Sequence, residues 1–176
     1  GLIVRGVSVE YRGHDPKWGK AWDACFTVGS LLPALLLGVA VGNIYAGIPM
    51  DANGDYAGIP LLGLVTPFTL LCGLLGLSMF LAQGASWLAL KAPKPSEVQT
   101  RAAGLRLPLQ VVSLVLFAVV SVYALVGVQA PMDPALGVVR WLLAALFVVA
   151  MVASVFFAEK KDCDLGAFVA QTASCA

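Results

Sequence analysis

Four runs without a charged side chain set the limits on what this chain can become: residues 24–50, 56–90, 107–132 and 141–158. Each holds an apolar segment close to the roughly 20 residues that a helix needs to cross the hydrocarbon layer of a bilayer. Backbone in lipid must satisfy its own hydrogen bonds, which leaves helices or closed barrels, and these runs lack the alternation of barrel strands. The chain has 176 residues, of which 60% are hydrophobic and 12% charged, more apolar surface than a soluble domain can bury. The expected fold class is all-α, a polytopic transmembrane helix bundle forming one membrane domain over residues 1–176. Complete helices are expected at about 24–41, 66–90, 108–128 and 139–158, and partial helices at 1–4 and 165–176. With no initiating Met and a short apolar stretch at each end, the chain reads as a fragment.

The basic residues orient the bundle. Arg5, Arg12, Lys17 and Lys20 precede the first complete helix, and the next connection, 42–65, has no Lys or Arg. Lys91, Lys94, Arg101 and Arg106 fill the one after. Residues 129–139 have none, and Lys160 and Lys161 follow the fourth helix. This alternation places 5–20, 91–106 and 159–164 on the cytoplasmic side.

Along the first complete helix, Ser30, Ala34, Gly38 and Gly42 recur every fourth position. Apolar side chains gain little by leaving lipid for each other, so membrane helices associate where small residues let backbones approach. This stripe is the expected helix-packing face. Pro33 lies within the helix and Thr66-Pro67 reads as a cap and first turn of the next. Gln83 is the polar point of that next helix, suited to bonding a neighbour.

Little else in the residues suggests chemistry. The expected helix interiors contain no Asp, Glu, Lys, Arg or His, the residues that usually mark an ion pathway. The only histidine, His14 beside Asp15, lies in a polar connection, and Met79, Met151 and the cysteines read as packing residues, which offers haem iron no evident ligand. Cys25, Cys72, Cys163 and Cys175 lack CxxC spacing and read as unpaired thiols that bind no metal. Asp51-Ala52-Asn53-Gly54-Asp55 has Tyr56 and Leu62 where a calcium loop needs Gly and Glu, and reads as a turn. No phosphate loop and no nucleic-acid signature is present.

The pattern Trp22-Asp23, Phe26, Gly29-Ser30, Pro33, Leu35, Gly38-Val39-Ala40, Gly42-Asn43, Gly47 and Pro49 closely resembles subunit II of the cytochrome bd quinol oxidases and their cyanide-insensitive relatives. Pro67-Phe68, Leu70-Leu71, Gly73 and Gln83-Gly84-Ala85 are similar to the family's next helix, and Arg5, Glu10, Tyr11 and Arg12 to its cytoplasmic loop. The matches are dense to about Arg101 and thin afterwards. Thr66 departs from the asparagine often found there, although threonine caps a helix too.

The resemblance implies a large bacterial inner-membrane subunit without a haem ligand or catalytic residue of its own. It implies a partner, subunit I, that carries haem b and haem d, oxidises quinol and reduces dioxygen to water. It also implies contact with lipid and a structural quinone. Arg5 and Glu10 match polar positions at the cytoplasmic mouth, where protons enter. The family's early Trp-Asp signature has no counterpart in this sequence. The alternative is half of a secondary transporter, for which Pro33 supplies a helix break but no charged partner lies at that depth. A membrane scaffold without redox function is the third reading.

Overall fold

The computed structural model describes residues 2–13, 18–48, 62–93, 96–127, 134–159 and 164–175. Six α-helices follow in order: α1 (Leu2–Arg12), α2 (Gly19–Ala46), α3 (Pro67–Lys91), α4 (Glu97–Gly127), α5 (Pro134–Glu159) and α6 (Asp164–Cys175). No strand occurs among the described residues. Among the described residues, three helices are long and apolar enough to cross a membrane, namely α2, α3 and the Glu97–Val126 part of α4. In α5 the apolar part of the described residues is Trp141–Phe156. The chain is an all-α, multi-pass membrane protein. His14, Lys17, the 51–55 turn, Lys94, Lys160, Lys161 and Cys163 lie outside the described residues.

The helices differ in extent from the sequence expectation, and local chemistry explains how. Of the expected segment 1–4, the described residues 2–4 belong to α1, which continues through the polar residues to Arg12. Similarly, α4 begins at Glu97, eleven residues before the expected start at 108, and passes through Pro108. Ser96 Oγ accepts from Gln99 N (3.2 Å), and Glu97 pairs with Arg101 one turn on (2.6 Å). Cap, first-turn carboxylate and i,i+4 pair together start a helix in the polar connection. The described residues of the basic segments 5–20 and 91–106 are therefore largely helical.

The chain divides into two compact units, Gly1–Leu77 and Ser78–Ala176, with the division inside α3. In the first unit α1 lies against α2, with Tyr11 stacked on Trp22 at 5.5 Å and Arg12 paired with Asp23 at 2.9 Å. The start of α3 is fixed by a reciprocal cap. Thr66 Oγ1 accepts from Thr69 N (3.2 Å) while Thr69 Oγ1 accepts from Thr66 N (2.8 Å), and Pro67 fills the first helical position without needing a donor. Asn43, near the end of α2, donates both to Val39 O and to Leu64 O at 2.9 Å. That second bond ties the 3₁₀ turn Leu62–Leu64 to α2.

In the second unit the paired contacts give the helix directions. Gln83 bonds Thr172 and Trp87 packs on Phe168, pairs that lie four residues apart on each helix, so α3 and α6 run antiparallel. Gln110 meets Ser154 and Phe117 stacks on Phe147, pairs seven residues apart, so α4 and α5 also run antiparallel. Along α4 the buried face is Ala102, Arg106, Gln110 and Ser113, three of them polar.

Candidate functional site

Three places in the molecule have the makings of a site. At the basic end of the first unit, α1 turns Arg5, Ser8 and Arg12 toward α2, as their spacing of three and four residues requires. The Arg5 guanidinium lies 5.4 Å from the centre of the Phe26 ring, a cation–π contact that holds the cation at the end of α2. Ser8 is buried and donates to Val4 O, so its hydroxyl is satisfied within α1. Beside it, Arg12, Trp22 and Asp23 line a cleft of about 460 Å³. Glu10 is exposed and lies about 140° around the helix from Arg5, on the side of α1 away from α2. The structure therefore sets Arg5 and Glu10 on different faces and does not bring them together.

The second place is the seam between α2 and the first half of α3. Gly38 and Gly42 are buried, and their missing side chains define the contact. A methyl group added at Gly38 would sit 2.7 Å from Cys72 O and 2.8 Å from Gly73 Cα. One added at Gly42 would sit 2.8 Å from Cys72 Cβ and 3.1 Å from Thr69 Cα. Gly73 answers from α3, where a methyl group would meet Val39 Cγ2 at 2.8 Å and Leu35 O at 3.0 Å. The two backbones touch because glycine stands on both sides. Ser30 and Ala34, farther back along α2, are half-buried, and Ser30 Oγ donates to its own helix at Phe26 O.

The third place was not legible as a site. Gln110 of α4 donates through Nε2 to Ser154 Oγ of α5 (2.6 Å) and to Gln171 Oε1 of α6 (3.0 Å), and Ser154 also donates to Gln171 (3.2 Å). All three are fully buried, as is Ser113, which donates to Ser78 of α3 at 3.0 Å. Gln83 Nε2 donates to Thr172 Oγ1 at 2.8 Å, joining α3 to α6. Hydrogen bonds thus link all four helices of the unit, within a few turns of Arg106, which is itself 4% exposed. Only Gln83 announced this layer in the sequence. The missing signal was the Arg106, Gln110, Ser113 spacing, a polar stripe one helical face wide.

No histidine lies among the described residues, no three His, Cys, Asp or Glu side chains of theirs converge, and Met151 is fully enclosed in packing.

Comparison with known proteins adds the family context. The family described as cytochrome bd terminal oxidase subunit II matches residues 1–176. A probable cytochrome oxidase subunit 2 of Haemophilus influenzae is 40% identical over 96 residues, 51% of this chain and 25% of the relative. The cytochrome bd-I ubiquinol oxidase subunit 2 of Escherichia coli K12 is 32% identical over 134 residues, 73% of this chain and 35% of the relative. The cytochrome bd ubiquinol oxidase subunit 2 of Bacillus subtilis is 33% identical over 172 residues, 92% of this chain and 47% of the relative. The chain spans less than half the length of each of these relatives.

Proposed function

Because the chain belongs to the cytochrome bd terminal oxidase subunit II family, we propose that it forms part of the haem-free membrane subunit of a bd-type quinol:oxygen oxidoreductase. The observation that carries this reading is the family match along the whole chain, and it favours the oxidase over the transporter half. The complex reduces dioxygen with electrons from quinol, and haem b and haem d reside in the partner, subunit I. This chain is not catalytic alone. It lies in the bacterial inner membrane with its basic ends, near Arg5, Lys91 and Glu159, toward the cytoplasm.

Two roles fall to residues of this chain. The Ser30, Ala34, Gly38, Gly42 face holds α2 against its neighbours, which keeps the subunit rigid where the haem-bearing partner leans on it. The support for this is the backbone approach at Gly38 and Gly42. Glu10 is the proton-admitting group at the cytoplasmic mouth, and Arg5, fixed over Phe26 on a different face of α1, is a stationary charge at the same end rather than a second carrier. A structural quinone or lipid lies along the apolar helices.

An absorption spectrum of the full-length protein, purified from its own membranes with whatever accompanies it, tests the reading. Bands of reduced b- and d-type haem, in a complex with a second large subunit, are expected, and the colour should leave with that subunit on separation. A colourless preparation without a partner would sink the oxidase proposal. Colour retained by this subunit alone would sink the haem-free assignment.

A further inference from the structure

Among the buried polar atoms of the second unit without a hydrogen-bond partner in the described residues are Gln83 Oε1, Ser86 Oγ and Gln110 Oε1. They come from two helices but share one neighbourhood. Only five residues separate the end of α3 at Lys91 from the start of α4 at Glu97, which makes the two an antiparallel pair, and Ser78 meets Ser113 across it. Ser86, eight residues further along α3, therefore lies opposite residue 105, about 7.5 Å along the axis from Gln110, and Gln83 lies opposite residue 108. Ser86 is turned about 80° from Ser78, and Gln110 about 60° from Ser113. In antiparallel right-handed helices those two rotations point to the same side. Helix α6 occupies that side, since Gln83 reaches Thr172 and Gln110 reaches Gln171. The three atoms converge on the junction of α3, α4 and α6.

Their chemistry specifies what is missing. Two are amide oxygens, which accept only, and the hydroxyl of Ser86 both donates and accepts. Both hydrogens of the Gln110 amide are already committed, to Ser154 and Gln171. Reversing that amide would set its oxygen against Gln171 Oε1, acceptor against acceptor. Reversing both amides would leave the NH₂ of Gln110 at the vacant end instead. Hydrocarbon outside the bundle can satisfy none of these groups, and buried polar atoms are rarely left bare. A small molecule that brings two O–H donors and an acceptor completes the set, and enclosed polar sites of this kind hold water while apolar ones stay dry.

We propose that the α3–α4–α6 junction binds a small cluster of ordered water molecules, held by Gln83 Oε1, Ser86 Oγ and Gln110 Oε1. The site is a hydrated pocket inside the membrane bundle, spanning the level of Arg106 and the turn beyond it, and it stands apart from the oxidase reading.

A density map of the full-length protein in lipid nanodiscs, with any accompanying subunits and at a resolution that shows solvent, tests it directly. Discrete peaks about 2.6–3.2 Å from Gln110 Oε1 and from Gln83 Oε1 or Ser86 Oγ are expected. Elongated lipid density, apolar side chains in contact with these atoms, or bonds among the three atoms themselves would overturn the proposal. A Ser86→Ala variant gives a second readout. With water bridging the hydroxyl, the variant melts at a lower temperature than the parent. In a dry junction the substitution removes an unpaired group, so an unchanged or raised Tm would count against the water cluster.

Discussion

Replacing Gly38 by alanine tests whether the α2–α3 seam is as close as its geometry states. The new methyl group would sit 2.7 Å from Cys72 O and 2.8 Å from Gly73 Cα, both backbone atoms that cannot rotate away. Ordinary contact begins near 3.4 Å, so the helices must part by roughly 0.7 Å at that level. A gap of that size forfeits about a quarter to a half of each neighbouring dispersion contact, and overpacking of this kind costs about 1–3 kcal/mol. Against this stands the gain of up to about 1 kcal/mol when alanine replaces glycine in a helix. Gly84 and Gly104 provide the reference, because a methyl group at either meets nothing within 4 Å. The propensity gain is common to all three substitutions, so the difference between Gly38→Ala and the two controls isolates the steric part. Reversible unfolding of the purified protein in mixed micelles should place Gly38→Ala about 1–3 kcal/mol below Gly84→Ala and Gly104→Ala. Equal stabilities for all three would refute the close seam.

Asn43→Leu removes one of two bonds to Leu64 O, which keeps the Thr69 hydroxyl as donor at 2.9 Å, and should cost about 0.5–1.5 kcal/mol in the same unfolding measurement. Gln110→Leu disconnects Ser154 and Gln171 from α4 and should lower stability by about 1–2 kcal/mol, with Ser154→Ala recovering little of it in a double-mutant cycle. Arg12→Ala breaks an ion pair whose side chains are 66% and 52% exposed, so its effect should be within about 1 kcal/mol and shrink as salt is added. Glu10→Gln keeps the shape but not the charge, and should slow proton-coupled turnover of the intact complex while leaving its haem spectrum unchanged. Full turnover would remove Glu10 from the route.

Legibility followed the distance over which each signal acts. Helical class and the apolar spans of α2, α3 and α4 were plain, because charge-free runs are local and lipid admits few alternatives. The cap at Thr66 was equally local, a threonine before a proline. The early start of α4 was missed although Ser96 and Gln99 spell a capping signal, because Pro108 drew attention as a helix start rather than an interior residue. Arg5 and Glu10 looked like a pair in one polar segment, and only the helix through them sets them on different faces. The Gln110, Ser154, Gln171 layer could not be read in advance. Its members are 44, 17 and 61 residues apart, and nothing in any one segment says which apolar helices will meet.

The Gln83–Thr172 bond joins residues 89 positions apart, with α4 and α5 between them in the chain. At a synthesis rate of about 5–20 residues per second, α3 waits roughly 4–18 s in or near the membrane before α6 exists to receive it. Throughout that interval the Gln83 amide faces lipid, the walls of the insertion machinery, or an earlier helix. Biogenesis of this unit therefore has a half-built stage that is polar at its centre, and α6 acts as the stopper that closes it over Gln83.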